Sequence, residues 1–295
     1  MLTRRLIRDA VEAALAEDAP WGDLTAEHVL PPRATATAHL VAREPGVLAG
    51  GAVVVEAFQQ VDPGIVVELL LADGDRFAAG ERIATVSGPA RGILTAERVA
   101  LNFAQRMSGI ATLTARYVDA VAGTRARIVD TRKTTPGLRA FEKHAVVCGG
   151  GRNHRFGLSD AVMLKDNHLA VLTAGGDSVA TALRALRERL GHTVHVEVEV
   201  DRLDQLPEVL DGGADTIMLD NFSVDDLAAG VAIIDGRAIV EASGGVDLAT
   251  VAAIAATGVD VISVGALTHS VRSIDLGLDV AVDSGNDPAA RPVRP

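Results

Sequence analysis

Lysine is nearly absent. The 295-residue chain has three, Lys133, Lys143 and Lys165, against 25 arginines spread from end to end. Arginine therefore supplies the ordinary surface charge, and the positions that keep an ammonium need another reason. An ammonium is a compact point charge whose pKa moves on burial, whereas a guanidinium is planar and always charged. Lysines kept against such a bias mark chemistry or close contact with an anion. Other scarcities exclude more. A single cysteine, Cys148, rules out an internal disulfide and fits a reducing cytoplasm. Aromatic residues are only 3% of the chain. The core is therefore built from Ala, Val, Leu and Ile, a mixture suited to parallel strands covered by helices. A net charge of −11 and a pI near 5.2 argue against nucleic acid as the main partner. No apolar run approaches membrane-spanning length, so no membrane segment is expected. The Arg-rich start is followed at once by Asp9, Glu12, Glu17 and Asp18, which targeting peptides avoid. Leu2, Leu6, Val11 and Leu15 read instead as one face of a first helix.

Against this acidic background the stretch Asp130–His168 stands out. It holds all three lysines, together with Arg132, Arg139, Arg152, Arg155, His144, His154 and His168. The Gly149-Gly150-Gly151 run lies in the same stretch. Such a cluster reads as a pocket for a small, highly charged anion rather than as a solvated face.

The chain has two regimes. From Thr35 to Val86, short β-like runs (Ala38–Ala42, Ile65–Leu70, Arg82–Val86) are split by Gly-rich turns. Asp73–Ile83 resembles the hammerhead turn of biotinyl and lipoyl carrier domains, but no lysine is present there to be modified, so only the sandwich geometry is expected. A long helix follows, about Thr95 to Ala122. Phe103, Met107, Ile110, Ala111, Thr114, Val118 and Val121 form its apolar stripe. Arg98, Asn102, Gln105 and Arg106 fall on another face, expected from spacing alone to meet solvent.

After Arg125 the pattern becomes regular β/α alternation. Strands are expected at Ala126–Asp130, Ala161–Leu164, Val194–Val200, Thr216–Leu219, Ala238–Glu241 and Val259–Val264. Helices are expected at Val179–Leu190, Asp204–Leu210, Val224–Ile234 and Leu248–Ala256. Continuous Val/Ile/Leu strands in such alternation mean a parallel sheet. Each strand ends in polar or small residues, the pattern of a barrel rim. Six strands rather than eight make the barrel incomplete. No Walker A loop and no strand–GxGxxG–helix unit is present, which disfavours a nucleotide-binding doubly wound fold.

The rim has two halves of opposite sign. The basic half is Arg132, Lys133, His154, Arg155, Lys165 and His168. The acidic half is Asp220 with Glu197 or Glu199, which share one strand face. Carboxylates beside an anion site imply an intervening cation, and hard oxygens with substrate phosphates are the usual Mg²⁺ arrangement. The turns at Ser243-Gly244-Gly245 and Gly265-Ala266 are expected to open helices and hold phosphate on free N–H groups. Spacing thus points to a Mg²⁺-complexed phosphate ester and a second anion held by Arg and Lys. The rival is a Schiff-base aldolase, for which a single rim lysine, Lys165, suffices. Cys148 has no base placed for nucleophilic work and reads as a small buried filler. His192 and His195 lack metal-motif spacing.

The same residues carry a family resemblance. They are Thr131-Arg-Lys-Thr-Thr-Pro-Gly-Leu-Arg139, Glu142-Lys-His-Ala-Val146, Gly149-Gly-Gly-Arg-Asn-His-Arg155 and Met163-Leu-Lys-Asp-Asn-His168. Glu197-Val-Glu199, Leu219-Asp-Asn-Phe222, Glu241-Ala-Ser-Gly-Gly245 and Ile262-Ser-Val-Gly265 follow in order. Upstream lie Glu17-Asp-x-x-x-Gly-Asp-Leu-Thr25 and Glu97-Arg-x-x-Leu-Asn102. From about Glu17 to Leu278 the chain resembles the quinolinate phosphoribosyltransferases. That resemblance implies an N-terminal α/β sandwich (residues 1–110, completed by 270–283) and an incomplete parallel α/β barrel (111–269), while the Pro-rich, polar Ser284–Pro295 reads as a flexible tail. It implies a cytoplasmic pentosyltransferase working as a homodimer. The enzyme would join quinolinate to phosphoribosyl pyrophosphate with Mg²⁺, giving nicotinate mononucleotide, pyrophosphate and CO₂ in de novo NAD synthesis.

By resemblance, Thr131 belongs to the substrate-binding residues, and Arg132, His154 and Arg155 hold the two quinolinate carboxylates, with Arg98 arriving from the other subunit. This reverses the solvent assignment of that helix face. Lys133 and Lys165 lie between the two substrates, and Glu199 and Asp220 serve Mg²⁺ and the ribose. Ser243, Gly244, Gly245, Val264, Gly265 and Ala266 hold phosphate. Catalysis would rest on Lys133, Lys165, Glu199 and Asp220. Two positions depart from the family pattern: His144 stands where Tyr is frequent, and Val147 where a basic residue is. A paralogous group linked to molybdate transport shares much of the pattern, but the intact Lys165-Asp166-Asn167-His168 argues against it.

Overall fold

The computed structural model describes residues 2–281. The tail expected over Ser284–Pro295 lies outside the described residues. The chain forms two compact units. One runs to Ser108 and resumes at Ser273, and the other is Gly109–Arg272.

In the first unit, four strands form an antiparallel sheet in the order Leu276–Ala281, Thr35–Ala42, Arg82–Pro89, Val66–Leu69. Helices Arg4–Asp18 and Gly51–Val61 pack on each other. They bury Ile7 and Val11 from one, and Val53, Val54, Ala57 and Phe58 from the other. Thr3 caps the first helix by accepting the Leu6 N–H at 3.3 Å. Asp23, from the Gly-Asp-Leu-Thr motif, caps Leu24–Val29. It accepts the Ala26 N–H at 3.0 Å and the Thr95 hydroxyl at 3.0 Å. The hammerhead-like segment is a tight turn: Arg76–Phe77 pairs with Gly46–Val47, and Asp73 accepts the Gly51 N–H at 2.9 Å.

The long helix spans Ala90–Ala120 and contributes to both units. Of its polar stripe, Arg98 and Asn102 are exposed, while Gln105 and Arg106 are half-buried. Gln105 is tied down: its amide donates to the Leu276 carbonyl at 2.7 Å, and its own carbonyl accepts the Ile274 N–H at 3.1 Å.

The second unit is built on six parallel strands. Their order is Arg127–Val129, Val261–Ser263, Ile239–Ser243, Thr216–Asp220, Val196–Val200, Val162–Leu164. In chain order the first of these strands pairs with the last, so the sheet curls on itself and stays open between the first and second. Arg152 bridges part of that gap by pairing with Val129, and the Arg155 guanidinium donates to the Ala161 carbonyl at 3.2 Å. Alternation fixes what faces inward. In Val196–Val200 the three valines are buried on the outer face, which leaves Glu197 and Glu199 inside. The same parity sends Met163 and Lys165, Met218 and Asp220, and Glu241 and Ser243 to the interior.

One turn differs from expectation. Ser243-Gly244-Gly245 does not open a helix, because the next one begins at Val251. Gly265 does precede one, the single turn Ala266–His269. The Gly149–Gly151 run also has a packing role. A Cβ on Gly149 would lie 2.4 Å from the Ala111 carbonyl oxygen and 2.6 Å from Thr114 Cβ. A Cβ on Gly151 would lie 2.7 Å from a Thr114 methyl. The run lets the helix Arg139–Cys148 end against the long helix.

Gly149→Ala should therefore cost about 1–3 kcal/mol through overpacking, read as a lowered midpoint in urea unfolding. Gly175→Ala, where a Cβ meets nothing within 4 Å, should leave the midpoint within about 0.5 kcal/mol. Equal effects would remove the packing account.

Candidate active site

At the C-terminal ends of the strands lies a cavity of about 440 Å³. Thr131, Arg132, Lys133, His154, Arg155, Lys165, Glu199, Asp220 and Ser243 line it, joined by Met163, Met218, Glu241 and Ser263. Most of the expected site is thus gathered on one rim. Arg98 is exposed on the long helix and is not among the lining residues described for this cavity.

The basic half is held by a buried ion pair. Lys143 and Asp130, both almost fully buried, are in direct contact. Lys143 also donates to the His154 carbonyl at 3.1 Å, and Asp130 accepts the His154 N–H at 2.9 Å. Burial pushes the Asp130 carboxyl up, to about 6, against the pull of the Lys143 ammonium. Lys143 therefore braces the site instead of lining it. His168 also acts as a support, since its Nδ1 accepts the Lys165 N–H at 3.1 Å and caps the helix Asp166–Leu172.

Arg155 is partly desolvated and faces Arg132, and both effects lower its pKa. Two guanidiniums that repel each other across a cavity are a site prepared for an anion. Lys133 folds over Gly265, where an added Cβ would lie 3.2 Å from Lys133 Cδ. Lys165 makes an ion pair with Glu199. With its amine engaged by a carboxylate, Lys165 is not presented as a free nucleophile, which weakens the aldolase alternative.

The two strand glutamates part company. Glu199 is half-buried and lines the cavity, while Glu197 lies one layer deeper, 3% exposed. Glu197 accepts from His154 Nε2 at 2.9 Å, and Glu241 lies 3.6 Å from the same nitrogen. His154 Nδ1 accepts the Arg155 N–H at 2.8 Å, which favours the tautomer with its proton on Nε2. Burial opposes a second proton on this ring, but the hydrogen bond and charge of Glu197, with Glu241 behind, outweigh it. Glu241 is pushed up to about 7, first by burial and then by the Glu197 charge. One oxygen of each glutamate has no hydrogen-bond partner among the described residues. Sequence reasoning did not find this His154–Glu197–Glu241 group; its only signal was the shared inward parity of Glu241 and Ser243.

On the acidic half, Asp220 accepts from the Asn221 side chain at 2.7 Å. Asn221 adopts φ 59°, and its backbone N–H binds the Ser243 carbonyl at 2.9 Å. An added Cβ on Gly244 would lie 2.1 Å from Asn221 Oδ1, so only glycine fits beneath this turn. Glu199 and Asp220 end adjacent strands and present hard carboxylate oxygens, a donor set that fits Mg²⁺ sharing its shell with phosphates. The Val264 N–H donates to the Val129 carbonyl at 2.9 Å, and Gly265 and Ala266 follow it in the turn that leads into Ala266–His269. Cys148 is half-buried rather than core, with His144 Nε2 3.4 Å from its sulfur. Val147 is exposed on the same helix.

Comparison with known proteins places this geometry. Residues 23–108 match the family described as quinolinate phosphoribosyl transferase, N-terminal domain, and residues 110–279 its C-terminal domain. A nicotinate-nucleotide pyrophosphorylase (carboxylating) of Mycobacterium leprae is 47% identical over 279 residues, covering 92% of this chain and 96% of the relative. A probable enzyme of the same name from Bacillus subtilis is 43% identical, covering 91% of each. The crystal structure of NadC from Streptococcus pyogenes superposes with a TM-score of 0.90 at 42% identity, covering 95% of this chain and 99% of that one.

The raised Glu241 carboxyl has a thermodynamic signature. The unfolded chain releases this proton near 4.5 and the folded chain near 7. Between those values the folded state holds an extra proton, so stability falls as pH rises through the window. The loss is on the order of 3 kcal/mol, from about 1.4 kcal/mol per pH unit. Glu241→Gln cannot titrate and should show a flatter stability profile from pH 5 to 8 in urea unfolding. Identical profiles would place the ionisation elsewhere.

Proposed function

The chain belongs to the quinolinate phosphoribosyltransferase family, and from that premise we infer how its cavity works. The reaction joins quinolinate to the phosphoribosyl group of phosphoribosyl pyrophosphate, with loss of CO₂ and pyrophosphate, in NAD biosynthesis. The observation that carries the assignment of roles is the convergence of Arg132, Arg155, Lys133 and Lys165 on one cavity, opposite Glu199 and Asp220. Quinolinate is a dianion, and paired guanidiniums match carboxylates through parallel hydrogen bonds. Arg132 and Arg155 would grip it, with Thr131 and His154 shaping the floor. Lys133 and Lys165 would lie between the ring and the donor.

As pyrophosphate departs, the ribosyl carbon gains positive charge, which Glu199 and Asp220 would stabilise from a fixed position. The same two carboxylates would hold Mg²⁺, which when bound neutralises the pyrophosphate. Ser243, Gly244 and Gly245 with Gly265 and Ala266 would contact phosphate. Loss of CO₂ leaves an electron pair on the ring carbon, and a nearby ammonium lowers its cost. We place the enzyme in the cytoplasm; among the described residues no helix is long and apolar enough to cross a membrane. We further propose a homodimer in which Arg98 serves the partner's site, supported by its exposure on the long helix.

Turnover should require the second carboxylate. With quinolinate the chain should form nicotinate mononucleotide. Nicotinate should react more slowly by a factor on the order of 10⁴, because it leaves arginines unpaired. Comparable rates with both would sink the assignment.

An inactive Arg98→Ala chain and an inactive Lys133→Ala chain should restore activity when mixed and allowed to exchange. One site of the heterodimer collects both defects and the other neither, so random exchange gives about a quarter of wild-type activity. No recovery after demonstrated exchange would place Arg98 within its own chain's function.

A further inference from the structure

A second cavity, of about 330 Å³, lies at the opposite ends of the same strands, where Arg127, His195, Thr216 and Ile239 line it. It shares three side chains with the upper cavity: His154, Arg155 and Glu241. Glu241 is therefore a carboxyl in the barrel wall that borders both cavities. It is 3% exposed, and one of its oxygens has no hydrogen-bond partner among the described residues. Glu197 faces it from Val196–Val200, His154 and Arg155 from the segment after Arg152, and Ser263 from Val261–Ser263. Met218 lies beside it in register.

The reaction proposed for the upper cavity consumes a proton. The ring carbon loses CO₂ when its carbon–carbon bond breaks, and the electron pair stays on that carbon. The adjacent ring nitrogen, cationic once bonded to the ribosyl carbon, stabilises the pair. A new C–H bond must then form. Arg132 and Arg155 are poor donors, since guanidiniums do not release protons at neutral pH, and Lys165 is bound to Glu199, which leaves Lys133 as the one competing ammonium. A neutral carboxylic acid is the natural source.

We propose that Glu241 is the acid that protonates the ring carbon vacated by CO₂, and that it is reloaded from the cavity at the other end of the barrel. This rests on the reading of the upper cavity as the quinolinate site. The proton leaves Glu241 as the C–H bond forms, Glu241 becomes a carboxylate facing His154, and a solvent proton arriving from below restores it. Burial keeps that proton on Glu241 up to about pH 7, so the donor is loaded near neutrality.

The test separates the two halves of the reaction. Wild type and Glu241→Gln are mixed with quinolinate, phosphoribosyl pyrophosphate and Mg²⁺ in a single turnover, and pyrophosphate and CO₂ are timed independently. Gln keeps the shape of the neutral acid but cannot give up a proton. Without a donor the ring carbanion recaptures CO₂, so net CO₂ release slows. The variant should form pyrophosphate within about threefold of the wild-type rate and release CO₂ at least about 100-fold more slowly, the usual worth of a positioned acid. Glu241→Asp should recover part of the CO₂ release rate and leave the pyrophosphate rate where it was. CO₂ release at the wild-type rate would overturn the proposal. So would equal slowing of both products, which would make Glu241 a support for the site as a whole. Failure of wild type to form pyrophosphate from quinolinate would instead defeat the transferase reading.

Discussion

The site depends on one buried ion pair. Asp130 directly follows the first barrel strand, and Lys143 projects from the helix after it. Together they take the N–H and the carbonyl of His154. The clamp therefore holds the loop that carries Arg132 and Lys133 against the segment that carries His154 and Arg155. Two guanidiniums brought together without a ligand repel, so the scaffold must supply what the anion later supplies. Such a pair is costly to desolvate and contributes little net stability, but removing one partner leaves a stranded charge. Its value lies in fixing where the cations point.

Above the clamp the barrel interior is arranged in layers set by strand parity. The top layer holds charges of both signs, with Lys165 neutralising Glu199 and Asn221 steadying Asp220. The layer beneath combines the sulfur side chains Met163 and Met218 with the buried group of His154, Glu197 and Glu241. A polar rim over a partly apolar floor suits a flat, charged aromatic acid. A parallel barrel delivers this because its outer face, packed by Val and Leu under helices, leaves the inner parity free for chemistry.

Much of this was legible in the sequence. Val224–Ile234 forms the helix its periodicity predicts, and all six parallel strands lie where Val/Ile/Leu runs fall between polar rim residues. The rim residues themselves were readable because barrels put function at strand ends. Harder to see was Gly51–Val61, whose Ala-Val-Val-Val start is β-branched and apolar and mimics a strand. Spacing could not show that Lys143 turns inward, because it shares a helix with exposed Val147. It also could not separate Glu197 from Glu199: parity puts both inside, and only depth assigns one to the cavity and the other to His154.

The scarcity of lysine gives the molecule an unusual chemical topography. Among its side-chain amines one is sealed in the interior, and the other two, Lys133 and Lys165, open into the same cavity. An electrophile that acylates primary amines but ignores guanidiniums finds no competing lysine on the surface. Covalent capture of this pocket can thus draw its selectivity from amino-acid composition as well as from shape.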